Sequence, residues 1–487
     1  MSSLLLYTEL SFADVGVVML RYLLIGLLGL TLAVSTVNAH ECDADDQCWY
    51  ADPAGSGTVC SFQNPCTVET ATGKLSAGDI LYLLPGVYSQ HYANYDLLAI
   101  INFDKFFQFQ TPKPSQSSPV TVKSLVHQQA IIQGDYSQQC VVTDNDYIHF
   151  DGLVVRQCRT SGIRIYNDGS GNYDPDDGHY VHVRNSLIEN IQGPDNMGGV
   201  YIGTARGTVI ENNEFRGNVP VPATNGNCYS IVLFQSADVT IRDNYFHDTC
   251  GGIYFKHGER TTGLGGYTRI HGNTFANIGT TTLGKSGIWM NQNRAEIYDN
   301  LLLGVPIVIH PNVDGTQAPN STDASIHHNT IVDSAIGLDH RRESPSVGAL
   351  RPTVEHNVFY NSSYSIWQYG SDQEFTDGIG LVSNNNCFYS SAGDQVIDYF
   401  SGDGSFGNLG DSYSLNSFQT LLGFDQQSLQ ADPQFIDPPG GDYRLANTSA
   451  CKTIDAGVRF APPAPQPIDE SLCFPVRTSG PVVLICL

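Results

Sequence analysis

The sequence predicts an all-β right-handed parallel β-helix, a solenoid with coils of about 28 residues, on three observations. An asparagine-centred phrase returns at a near-constant interval, a second short strand stands between successive copies, and the composition is rich in turn residues, with 48 Gly and only 15% charged residues. The phrase is apolar-x-x-Asn-x-apolar: IENNEF at Ile210, IRDNYF at Ile241, IHGNTF at Ile270, IYDNLL at Ile297, IHHNTI at Ile326 and VEHNVF at Val354. Its asparagines are Asn213, Asn244, Asn273, Asn300, Asn329 and Asn357. Looser copies place Asn185 before them, Asn386 after them, and Asp151 in IHFDGL where an Asn would stand. Asn tolerates the left-handed backbone of a tight turn and can hydrogen-bond from coil to coil, which accounts for one polar constant in an apolar phrase.

The second strand reads GIRIY at Gly162, GVYIG at Gly199, SIVLF at Ser230, GIYFK at Gly252, GIWMN at Gly287, PIVIH at Pro306, IGLDH at Ile336 and SIWQY at Ser365. Side chains alternate along a strand, so pairs such as Ile253 with Phe255 and Ile288 with Met290 face inward. The outward set contains Arg164, Tyr166, Tyr201, Phe234, Tyr254, Lys256, Trp289, Asn291, Val308, His310, Asp339, Trp367 and Tyr369. Stacked coils turn these into a ladder on one face, where aromatic rings offer apolar bodies to sugar rings. The longer connections, Ile253 to Ile270, Ile307 to Ile326 and Ile336 to Val354, all leave one edge of this face, as loops that wall a site do.

The segment from Met19, with Arg21, the apolar run Leu23 to Val34 and Val37-Asn38-Ala39, reads as a secretory signal cleaved after Ala39. The expected organisation is 1–39 signal (1–18 an upstream extension), 40–118 cap and first coils, 119–445 β-helix, and 446–487 closing segment. Export makes disulfides the expected use of 12 Cys, with sequence neighbours paired: Cys42 with Cys48, Cys60 with Cys66, Cys140 with Cys158, Cys228 with Cys250, and Cys451 with Cys473. Cys387 and Cys486 are left over. A formal charge of −25 disfavours nucleic acid and anionic lipid as partners. The expected partner is an extracellular polysaccharide, the expected state a monomer with no membrane association after cleavage.

YADPAGSGT from Tyr50, GDILYLLPGVY from Gly78, PVTVKS from Pro119, AIIQGD from Ala130 and the closing ADPQFIDPPGGDYRLANTSA from Ala431 resemble the pectate-lyase-like β-helix superfamily. That superfamily implies a carbohydrate-active protein without choosing among lyase, hydrolase, epimerase and binder. FKHG at Phe255 with IHGNTF at Ile270 resembles a coil of the chondroitinase B and alginate lyase family, with Lys256 where that family has a catalytic Arg, and His257 matching its His. The family's catalytic Lys falls near Gln235, and its acidic calcium ligands near Cys228 and Ser230, so none of these three is matched.

Three readings follow from the residues. A lyase needs neutralisation of the uronate carboxylate, a base and an acid, for which Lys256, His310, His257 and Tyr254, with Arg294 or Arg341 nearby, are candidates, Lys256 or His310 as base and Tyr254 as proton donor. A glycoside hydrolase needs two carboxyl groups about 5 to 9.5 Å apart, and Asp339 could pair with Asp314, Glu259 or Glu343. A binding protein needs only the aromatic ladder, with Tyr201, Trp289, Asn291, Trp367, Tyr369 and Arg164 as contacts. The lyase is the leading expectation. The loop DGSGNYDPDD has the oxygen-rich composition of a calcium site, with Asp168, Asn172, Asp174 and Asp176 as ligands.

Overall fold

The computed structural model describes residues 47–90, 92–94, 97–103, 109–166, 179–193, 196–220, 227–256, 267–279, 286–290, 294–309, 323–339, 352–370, 381–390, 395–401, 412–459, 473–477 and 482–486. The signal segment, Cys42 and the loop carrying Asp168, Asn172, Asp174 and Asp176 lie outside these residues.

Each turn of the chain places one strand in each of three sheets, and each sheet stacks twelve strands. The first runs from Cys48–Ala51 to Val382–Asn384 and the second from Gly86–Tyr88 to Leu429–Gln430. The third runs from Ile101–Phe103 to Gln395–Ser401, where Ser412–Ser414 adds an antiparallel edge to an otherwise parallel sheet. Inside, like stacks on like from coil to coil. Phe215, Phe246 and Phe275 lie with ring centroids 4.9 and 4.7 Å apart, and Ile210, Ile241, Ile270, Ile297 and Ile326 form a buried aliphatic row. At one end the short helix Val68–Thr72, capped by the Thr67 side chain, buries Val68 and Ala71. At the other, Leu415 and Phe418 join the same core.

The Asn phrase is not one strand but the corner between two sheets. In the first coil of the series, Val209–Glu211 belongs to the first sheet and Glu214–Arg216 to the second. The left-handed residue is the one before the constant Asn: Asn212, Asp243, Gly272, Asp299, His328, His356 and Asn385 have positive φ. The expectation that the constant Asn itself takes that conformation is therefore corrected. Asn213 and its equivalents point into the corner, fully buried, where each Nδ2 donates to the Oδ1 of the next at 3.0 to 3.2 Å from Asn213 through to Asn386. Each backbone N–H donates to that same oxygen. A side-chain amide suits this place because it donates and accepts along one axis, leaving no buried polar group idle.

Two looser copies are out of register. Asn185 is a left-handed corner residue and Ser186 occupies the ladder position, donating its N–H to Asn213 Oδ1. Asp151 is aligned with Arg184 and forms ion pairs with Lys123 and Arg184 on the outer face of the first sheet, so it does not stand in for the Asn. The ladder ends at Asn386, whose amide donates to the buried Asp425.

Disulfides join Cys60 to Cys66, Cys140 to Cys158 and Cys228 to Cys250, as neighbour pairing predicts. Cys451 instead bonds Cys387 across a sequence separation of 64, which overturns its pairing with Cys473 and accounts for the leftover Cys387. Neighbour pairing fails there because the closing segment folds back over the second sheet, where Val358, Cys387, Leu445, Cys451 and Ala456 share an apolar cluster. A separate two-stranded antiparallel hairpin pairs Cys473–Arg477 with Val482–Cys486 and brings Cys473 opposite Cys486.

On the first sheet His149 and His182 stack with centroids 4.5 Å apart. Burial, then the His182 charge, lowers the His149 pKa to about 4, and burial also lowers His182. Folded protein therefore binds fewer protons than unfolded chain between the ordinary His value and about pH 4, so this stabilisation is complete above that value and is lost as pH falls. Both rings are partly exposed, which screens the effect. We expect His149→Phe to make the melting temperature less sensitive to acidification, by about 1–2 °C between pH 7 and pH 5. An unchanged pH dependence in thermal melts contradicts the assignment.

Candidate functional site

The third sheet carries the outward ladder. In register from coil to coil stand Arg164, Tyr201, Val232, Tyr254, Trp289, Val308, Gly337 and Trp367. A second row holds Tyr166, Gly203, Phe234 and Lys256. Asp339 lies opposite Tyr369 at the end of its strand. His257, Asn291, His310 and Arg341 fall outside the described residues.

The strands bend at their start, and the bend explains the Gly or Ser that precedes the alternating apolar residues. A Cβ on Gly199 would meet Ile188 and Phe215, and one on Gly252 would meet Phe275, so this position points inward, as does the residue after it. Ser230 takes the same position, fully buried against the Thr249 hydroxyl at 3.2 Å. Two consecutive inward residues shift the alternation by one. Tyr229, which strict alternation from Ile231 places inside, consequently faces out, its ring close over Gly251, where a Cβ would come within 2.5 Å of it. The small residue before each strand was the signal that could have revealed this.

The face is less open than alternation alone predicts. Tyr229 stacks on Tyr254 with centroids 4.8 Å apart, and with Val232 they form a packed cluster on which Tyr201 and Trp289 lean. Tyr254 is only 9% exposed, which corrects its expected place on a solvated ladder. Burial raises the Tyr229 hydroxyl well above its ordinary pKa, with the neighbouring Tyr254 adding to the shift. Half-buried around this cluster are Arg164, Tyr166, Tyr201, Phe234, Lys256 and Trp289, and Trp367 is half-buried four coils beyond Tyr254. Trp367 lies over the bare backbone of Gly337, where any Cβ would collide with the indole.

Two cations are held within this rim. The Arg164 guanidinium sits 4.5 Å from the Tyr166 ring centroid and 5.5 Å from that of Tyr201, with its Nε buried and without a hydrogen-bond partner. Burial raises the Tyr201 pKa and the Arg164 charge partly offsets it. The Lys256 ammonium donates to Asn196 Oδ1 at 2.7 Å, an oxygen that also accepts from Asn227 Nδ2. Arg164 and Lys256 lie three coils apart, about 14 Å along the stack at ordinary strand spacing.

Calcium does not fit the positions that the alginate lyase resemblance assigns to it. Cys228 is bonded to Cys250, and Ser230 points into the core. Neither offers a carboxylate oxygen to the outer face. Among the described residues no group of three His, Cys, Asp or Glu is placed to hold a metal ion.

A family model described as a right-handed beta helix region matches residues 139–308. The chain is a right-handed parallel β-helix. This β-helix is similar to several solved structures at low identity. The PL6 family polysaccharide lyase Pedsa3628 from Pseudopedobacter saltans is 14% identical, with 85% of this chain and 99% of that one covered and a TM-score of 0.47. Pectate lyase Pel9A is 12% identical, covering 86% and 93%, with a TM-score of 0.49. The PL6 family alginate lyase AlyGC is 12% identical, covering 86% of this chain but 57% of that one, with a TM-score of 0.49. At such identities the likeness concerns architecture alone. No curated protein sequence matches the β-helix. Among its described residues no helix is long and apolar enough to cross a membrane.

Proposed function

We propose that this β-helix is a secreted protein acting on an anionic, uronate-containing polysaccharide, and that it cleaves the polymer by β-elimination. The observation that carries the reading is the pair Arg164 and Lys256, two cations fixed among aromatic side chains on one face of a chain whose formal charge is −25. Such a chain repels an anionic polymer in general, so binding has to come from local cations. Arg164 suits a sugar carboxylate because its planar guanidinium is braced by two tyrosine rings. Lys256, steadied by Asn196, would either neutralise the carboxylate beside C5 or take the C5 proton. Tyr254 is assigned to packing and not to proton donation. The disulfides fit an oxidising compartment and hence export.

The test is a screen of the purified chain against alginate, pectate, a glycosaminoglycan and neutral glucans, with detection of both new double bonds and new reducing ends. Unsaturated products from an anionic polymer support the reading. Reducing ends without unsaturation point to hydrolysis with Asp339, and binding without cleavage to a carbohydrate-binding protein. Arg164→Gln is expected to weaken binding of the anionic polymer about tenfold, equivalent to about 1.4 kcal/mol, in calorimetric titration at low salt. Equal affinity in the variant removes Arg164 from the site.

A further inference from the structure

The closing segment does more than cover the second sheet. Past the short turn Ala450–Ile454, it runs back along the corner between first and second sheets, touching coil after coil. Cys451 is tied to Cys387. The Ile454 carbonyl accepts from His356 Nδ1 at 2.7 Å, and Gly457 N–H donates to the His356 carbonyl. Asp455 Oδ2 meets His328 Nε2 at 3.2 Å. Val458 N–H donates to Thr330 Oγ1, and Arg459 binds the buried Asp299 carboxylate through Nε at 3.1 Å and Nη2 at 2.9 Å. Four consecutive coils are thus held by one segment.

Two of the seats are histidines, His328 and His356, and the first is in unusual contact with a third histidine. His327 Nδ1 lies 2.8 Å from His328 Nδ1. Only one proton fits between two ring nitrogens at that distance. With His328 Nε2–H donating to Asp455, its Nδ1 accepts, so His327 Nδ1 carries the shared proton. An imidazolium has a proton on each nitrogen, so two charged rings cannot keep this contact.

We propose that residues 454–459 form an acid-released strap, seated while His327 and His328 share one proton and lifted from the last coils when both rings become charged. Other charged groups facing the pair do not replace this device. His327 is in register with Tyr298 and Glu355, with Glu296 on the Tyr298 strand. His328 faces Asp455, Arg459 and the stacked ring of His356, 4.9 Å away. Burial is the largest influence on both imidazoles and holds them below the ordinary histidine value; the His328 charge adds to this at His327, while Asp455 opposes it at His328. The sign follows: the seated state favours neutral rings, so its stability is complete above the ordinary value and falls as pH falls through the lowered ones. The disulfide keeps the lifted strap attached at Cys451.

Hydrogen exchange of the full-length protein, followed by mass spectrometry and normalised to intrinsic rates at each pH, tests this. Protection of the amides of Gly457, Val458 and Arg459 is expected to fall about tenfold or more from pH 7.5 to pH 4.5, while amides of the ladder residues Asn300 and Asn329 keep theirs. His327→Phe retains a ring to stack on Tyr298 but removes the second proton, so His328 can charge and still hold Asp455. In that variant the strap amides are expected to stay protected at the lower pH. Undiminished protection in the parent protein overturns the proposal. So does an equal loss in His327→Phe, which would trace the effect to protonation of Asp455 or to general acid unfolding. His327→Gln serves the same purpose if the Phe variant does not fold.

Discussion

Asn273→Ala is expected to destabilise the protein by about 3–4 kcal/mol, among the largest losses from a single side chain here. Asn273 sits fully buried in the middle of the corner ladder. Its Oδ1 accepts from both the backbone N–H and the side chain of Asn244, while its Nδ2 donates to the carbonyls of Ile241 and His271 and to Asn300 Oδ1. Removing it strips the Asn244 N–H of its acceptor and leaves the Ile241 carbonyl without this donor, each costing about 1–3 kcal/mol in a buried corner. The ladder also polarises along its length, so its members are worth more together than singly. Because a solenoid is coupled mainly between neighbouring coils, the loss should also broaden the unfolding transition. Chemical denaturation with two probes measures both. A loss under about 1 kcal/mol would mean that water enters the corner and replaces the amide.

Lys256→Ala is expected to lower the rate of polymer cleavage by about 10²–10⁴-fold, the range that a positioned acid-base or charge-neutralising group contributes. The fold should hardly respond. Lys256 is half-buried at the end of its strand, and its ammonium donates to Asn196 Oδ1. Stability within about 0.5 kcal/mol of the parent is therefore expected. Full release of unsaturated product by the variant would sink the assignment of Lys256. Retained binding of polymer alongside the lost cleavage would separate a chemical role from a gripping one, a division that Arg164→Gln probes from the other side.

Some of the site was legible from local sequence and some was not. Arg164, Tyr201, Trp289 and Trp367 are found on the outward face because alternation along a strand is local. Tyr229 was missed because the strand bends at Ser230, and a bend is visible only when one asks what the preceding small residues point at. Tyr254 was expected in solvent, yet it stacks on Tyr229, which comes from the adjacent coil. Cys387 and Cys451 are far apart in the chain and meet only because the closing segment turns back over the second sheet.

The sequence by itself determined the solenoid, its coil length and the identity of the residues that stack in its core. Repetition suffices for this, since each coil buries its apolar residues only against neighbours of the same pattern. Which aromatics stay accessible, how the last cysteines pair and where the closing strap is seated were decided by tertiary structure alone. These depend on contacts between coils or across them, and a pattern that repeats identically in every coil carries no information about where one coil differs from the next.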